Sequence, residues 1–119
     1  MRRSEITPKL IELSKSAKEL GFPQDAEEGE WYISDRVNEL VQWGSHPTNF
    51  NDNQHLCVIL SFSRCLEWFV SRSKGEMIGL DLNNFIHGYW ILAIKTKSYR
   101  GENIHEAIAK AVVKILEKN

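Results

Sequence analysis

His55, Cys57, Cys65 and His87 are the residues whose types could hold a metal ion. A tetrahedral zinc site wants thiolates and imidazoles paired two to four positions apart at both ends of the ligand set. Only His55 and Cys57 are so paired, and both cysteines sit in apolar surroundings: Leu56-Cys57-Val58-Ile59-Leu60, and the segment from Phe62 to Val70. Two buried thiols, with no metal and no cofactor, is the expected reading. Cys65 as a nucleophile would need a lowered pKa, whereas an apolar setting raises it and makes the thiol inert. Ser61, Ser63, Ser71 and Ser73 lack a nucleophile elbow, and Ser61 and Ser63 read better as helix starters. The acidic run Asp25-Ala26-Glu27-Glu28-Gly29-Glu30 lacks the alternating ligands and central glycine of a calcium loop, and reads as a solvated turn. Gly75 and Gly79 open no helix with a lysine and so make no phosphate loop. His46, Asp52 and His55 could serve an enzyme, but loop residues alone supply no positioned nucleophile–base pair, so a non-enzymatic protein is expected.

Two surfaces remain. Trp43 and Trp68 fall outside the apolar periodicities; with Phe50 they either form an exposed patch, a common anchor of protein contacts, or cover the sheet edge within the chain. They are the expected partner-binding residues, for another protein or for a second copy in a homodimer. Lys95, Lys97, Tyr99 and Arg100 place three cations beside an aromatic ring, a pattern that suits phosphates and a stacked base. The competing reading of this segment is a charged strand edge that discourages aggregation.

The elements that carry these residues follow from punctuation and period. Thr7 and Pro8 start a helix in which Leu10, Leu13, Ala17 and Leu20 form one stripe, and Gly21-Phe22-Pro23 ends it in the manner of a Schellman motif. Trp31-Tyr32-Ile33 reads as a strand. Residues 35–43 fit either a short helix or a hairpin whose return strand is Leu40 to Trp43, with the hairpin preferred. Gly44 to Gln54 is a long polar loop, a common location for binding. Leu56 to Leu60 is a buried strand or the lead-in to a helix capped by Ser61, whose stripe is Phe62, Cys65, Leu66, Phe69 and Val70, with Trp68 off it. A short strand, Met77 to Leu82, breaks at Asn83-Asn84. Tyr89 to Lys97 is the longest strand and turns polar toward Arg100. Asn103 caps a last helix with Glu106 in the capping-box position, and Ile104, Ala107, Ile108, Ala111, Val112, Ile115 and Leu116 form its apolar face.

The order is helix, two strands, loop, helix, two or three strands, helix. It predicts one α+β domain over residues 1–119, with helices gathered on an antiparallel sheet. Fifteen Lys and Arg against sixteen Asp and Glu give no global attraction to nucleic acid or anionic lipid. No apolar run approaches the roughly 20 residues of a membrane helix, and no apolar stretch follows the N-terminus as in a signal peptide. The expected location is the cytoplasm.

Ser61-Phe62-Ser63-Arg64-Cys65-Leu66-Glu67-Trp68, the run from Tyr99 to Ala111, the opening from Pro8 to Pro23, and Glu28-Gly29-Glu30-Trp31 resemble small phage and prophage α+β proteins that have no established activity. The resemblance implies a mobile-element origin and carries no catalytic residue across. The closing strand-turn-helix is also similar to that of double-stranded RNA-binding domains and HicB-type antitoxins. The RNA-binding family places lysines where this chain has Ile104, His105 and Glu106, which argues against that activity.

Overall fold

The structure is a computed structural model and describes residues 1–24, 29–34, 40–42, 56–73, 80–86, 89–94 and 97–118. A 3-10 turn at Arg3–Glu5 precedes helix α1 (Pro8–Glu19). Thr7 caps α1 by accepting from Leu10 N at 3.0 Å, and Pro8 fills the first helical position. The Schellman end is present: Phe22 N donates to Ala17 O (2.9 Å) and Gly21 N to Lys18 O (3.1 Å). Gly21 has φ +98°, and Phe22 is buried just beyond it. The stripe Leu10, Leu13 and Ala17 is buried as expected; Leu20, at its end, is exposed.

Strand β1 (Trp31–Ser34) pairs antiparallel with β2 (Leu40–Gln42), so the hairpin forms. On its other side β1 pairs antiparallel with β3 (Leu56–Val58), which gives a sheet in the order β2-β1-β3. The segment before the second helix is thus a strand, an element that the expected order did not count. Helix α2 (Phe62–Ser73) starts at Ser61, whose hydroxyl accepts from Arg64 N at 3.2 Å. Phe62, Cys65, Leu66 and Phe69 join the core, but Val70 is 61% exposed and Trp68 packs inward. The buried face is centred on Cys65 and Phe69, with Trp68 on its flank.

Strands β4 (Leu80–Ile86), β5 (Tyr89–Ile94) and β6 (Lys97–Gly101) form a second antiparallel sheet in that order. Two expectations change here. Strand β4 continues through Asn83-Asn84, with a register shift between Asn83 and Ile86. The supposed single strand from Tyr89 to Lys97 is two strands, β5 ending at Ile94 and β6 running from Lys97 to Gly101. Tyr99 is half-buried, Arg100 exposed and Gly101 buried, the alternation of an edge strand with one covered face.

Helix α3 (Ile104–Glu117) lies between the second sheet on one side and α1 and α2 on the other. Its expected face is buried at Ala107, Ile108, Ala111, Val112 and Leu116, and Ala109 and Val113 are buried as well. A helix with neighbours all round needs more than one apolar stripe. Gly101 makes the junction possible, because a Cβ there would sit 2.5 Å from Ala107 N and 2.9 Å from Asn103 O. Among the described residues no helix is long and apolar enough to cross a membrane.

Candidate functional site

The starts of all three helices converge. Thr7 donates to Glu106 Oε2 (3.0 Å) while capping α1. Asn103 caps α3 by accepting from Glu106 N (2.9 Å), and its Nδ2 donates to Glu5 O (2.6 Å). Glu5 accepts from Arg2 N (2.7 Å) and contacts His105 Nε2 (3.1 Å), and His105 Nδ1 accepts from Phe62 N at the start of α2 (2.9 Å). Two carboxylates therefore face three positive helix ends, the favourable placement. The Arg2 N–H, and after it His105, lower the Glu5 pKa. Burial lowers the His105 pKa against the opposing pull of Glu5. Because Nδ1 accepts a backbone N–H, the ring proton sits on Nε2, directed at Glu5. Neither nitrogen then offers a lone pair to Ser61 or Ser63, although all three line one cleft of about 260 Å³. This histidine joins elements and has no base geometry. The same cleft carries the bidentate pair of Arg64 with Glu30 (2.5 and 2.6 Å), so Glu30 is not part of a solvated turn.

The first sheet has two unlike edges. Ile59 N donates to Trp31 O, so Cys57 and Ile59 direct their backbone groups at β1, and Leu56, Val58 and Leu60 direct theirs outward. Each outward residue meets a side chain: Leu56 O accepts from Lys18 Nζ (2.7 Å), Val58 N donates to Gln24 Oε1 (3.0 Å), and Leu60 N donates to Ser14 Oγ (3.0 Å). The β3 edge is sealed. On β2 the alternation places the Val41 backbone groups against Tyr32, which leaves those of Leu40 and Gln42 pointing outward. Among the described residues nothing covers them, and the Val41 side chain is 39% exposed. Beside this edge, between α1 and the sheet face that carries the paired Ile33 and Leu40, runs a cleft of about 650 Å³, also lined by Arg3, Ile11, Glu12 and Lys15.

A third feature is a groove of about 400 Å³ that brings Tyr99 and Arg100 of β6 together with Lys9 of α1 and Lys110 and Lys114 of α3, beside Glu12 and Glu117. Lys110 Nζ donates to Arg100 O. Lys9 lies 3.8 Å from Glu12, Lys110 3.8 Å from Glu106, and Lys114 3.8 Å from Glu117.

Of the residues singled out from sequence, Trp68 is half-buried against Phe22 and Phe69, with ring centroids 5.7 and 5.1 Å away. Trp43, Phe50 and Lys95 lie outside the described residues, as do the loop 44–54 and His46, Asp52, His55 and His87. Lys97 opens β6 opposite Ile94. Cys57 and Cys65 are fully buried as expected, and burial pushes the Cys65 thiol far up, so it is no nucleophile. No group of metal-ligating side chains occurs among the described residues. Sequence reasoning missed Ser14, Lys18 and Gln24. Ser14 carried a signal, a polar residue on the apolar side of α1 between Leu10 and Ala17. Compared with protein families, with curated proteins and with solved structures, the chain has no match.

Proposed function

We propose that this protein is a non-enzymatic interaction module that binds a protein partner by adding a strand to β2. The observation that carries the reading is the asymmetry of the first sheet. Three side chains from α1 and the segment after it close the β3 edge, while Leu40 and Gln42 of β2 present outward backbone donors and acceptors. The likeness to small phage proteins supports a mobile-element setting, and the partner or a second copy would be met in the cytoplasm. Trp43 follows the same strand directly in sequence. Hydrogen exchange tests the reading: the Leu40 and Gln42 amides should exchange rapidly in the isolated chain and become protected in a complex or dimer. Association that leaves both amides fast would refute it.

A second reading is favoured by the groove around Tyr99. Four cations against two carboxylates, beside an aromatic ring, suit the backbone and bases of a single-stranded nucleic acid. Binding of an oligonucleotide should then fall steeply with salt and weaken in Lys110→Glu. No binding at low salt would end this reading.

A further inference from the structure

The cleft beside β2 specifies what kind of strand the edge accepts, an inference that rests on the strand-addition reading above. Ile33 and Leu40 are directly opposite each other in the β1–β2 ladder, so their side chains share one face. That face looks toward α1, and the cleft of about 650 Å³ lies between them. A strand added to β2 would direct every second side chain into this space. The floor there is apolar: Ile11, Ile33 and Leu40. The rim is charged: Arg3, Lys15 and Glu12. Glu12 faces Lys9 at 3.8 Å, which leaves Arg3 and Lys15 as rim cations without an ion pair to a described residue. We propose that β2 and its cleft bind an extended segment of a partner protein whose inward residues are an aliphatic side chain, opposite Leu40, and a carboxylate two positions away that faces Arg3 or Lys15.

The carboxylate sets the preference among strands, because a cation in its place would meet two like charges. Backbone pairing alone accepts any sequence; the rim does not. Gln42 is the position that separates the two contributions. Its backbone points away from β1, so Gln42→Pro removes an outward donor and leaves the Tyr32–Val41 pair intact, and Gln42→Ala controls for the loss of the Gln42 Nε2 bond to Gly29 O (3.0 Å).

The test uses the full chain and two fluorescein-labelled peptides read by anisotropy at low salt. In both, threonine alternates with a central leucine flanked by two inward charged residues, glutamates in one and lysines in the other. The glutamate peptide should bind about tenfold more tightly than the lysine peptide, on the scale of two partly screened charge contacts. The charge reversals Arg3→Glu, at an exposed residue, and Lys15→Glu, at a half-buried one, should erase or invert that preference, and Gln42→Pro should weaken both peptides. Equal affinities that are lost in Gln42→Pro would overturn the acidic partner and leave strand addition standing. Binding that is indifferent to Gln42→Pro, or no binding of either peptide even at millimolar protein concentration, would overturn both.

Discussion

Gly101 offers a sharp test of how α3 is seated. Its Cα sits at the end of β6, where an added Cβ would lie 2.5 Å from Ala107 N, 2.9 Å from Asn103 O and 2.9 Å from Glu106 Cβ. Two of these neighbours are backbone atoms of the first turn of α3, and neither can rotate away. Gly101→Ala must therefore move the helix start relative to β6. Overpacking of this kind costs about 1–3 kcal/mol. Against it stands the lower entropy of the unfolded alanine chain, which contributes about 0.4–1 kcal/mol to stability where the backbone tolerates a side chain. A net loss of about 1–2 kcal/mol follows, a drop of roughly 3–10 °C in Tm for a chain of this size. Gly21 supplies the contrast. It has φ +98° and open space around its Cβ position, so Gly21→Ala is opposed by the backbone alone, and Gly21→Asn should recover part of the loss. Gly101→Asn should recover nothing. Urea unfolding of the four variants measures both effects, and a Gly101→Ala protein as stable as the parent would refute the close-approach argument.

Acid should destabilise the fold in two stages. His105 has a lowered folded pKa, so as pH falls below its ordinary value of about 6.5 the unfolded chain takes up the proton first and stability declines. Glu5 has a lowered folded pKa, so its stabilisation is present above about 4.3 and is lost as pH falls through its folded value. His105→Gln should flatten the first decline and shrink the second, which the Arg2 N–H then chiefly maintains, in pH-dependent urea melts, and an unchanged slope between pH 7 and 5 would refute the assignment. Ser14→Ala should cost about 1–3 kcal/mol by leaving Leu60 N buried without its acceptor, and Ser14→Thr should recover less than half if the site is as tight as its burial implies. The losses in Glu30→Ala and Arg64→Ala should sum to more than the loss in the double variant, with a coupling of about 1–3 kcal/mol in a thermodynamic cycle.

The parts of this fold that were legible in the sequence are those written within a few residues. Thr7-Pro8 and Gly21-Phe22 mark the two ends of α1, Asn103 marks the start of α3, and the apolar setting of the cysteines marks their burial. Strand β6 was hidden because Lys97 to Arg100 is polar. Only the alternation of Tyr99, Arg100 and Gly101 shows that one face is covered, and the cover is a helix that the pattern itself cannot place. The sealing of β3 was hidden for a different reason. Ser14 and Leu60, Lys18 and Leu56, and Gln24 and Val58 meet across separations of 46, 38 and 34 positions. No local rule links a serine in a helix to a strand amide that far away. The His105 network spans 100 positions to Glu5, and a histidine in the first turn of a helix reads as an ordinary surface residue until its neighbours are known. Trp68 was misjudged by period alone: a stripe drawn through Val70 excludes it, while one centred on Cys65 and Phe69 includes it.

The short length of β2 decides what its edge can do. Leu40 and Gln42 offer at most two donors and two acceptors outward. At about 1 kcal/mol net for each hydrogen bond, backbone pairing supplies about 4 kcal/mol at best. Association costs roughly that much or more in lost translation and rotation. Backbone pairing at β2 therefore breaks even, and a strand with nothing further to offer should not stay. Among the described residues this edge is uncovered, and a short edge is itself protective against indiscriminate pairing. Binding must come from side chains, and the only side-chain space described beside that edge is the cleft under α1. Burying one leucine there adds about 2 kcal/mol, and a carboxylate at Arg3 or Lys15 adds about 0.2–1 kcal/mol. Together these yield about 2–3 kcal/mol, a Kd of roughly 6 mM or weaker for a minimal peptide. Under the strand-addition proposal a partner would then engage more of the surface than β2, and in the sequence Gln42 is followed directly by Trp43.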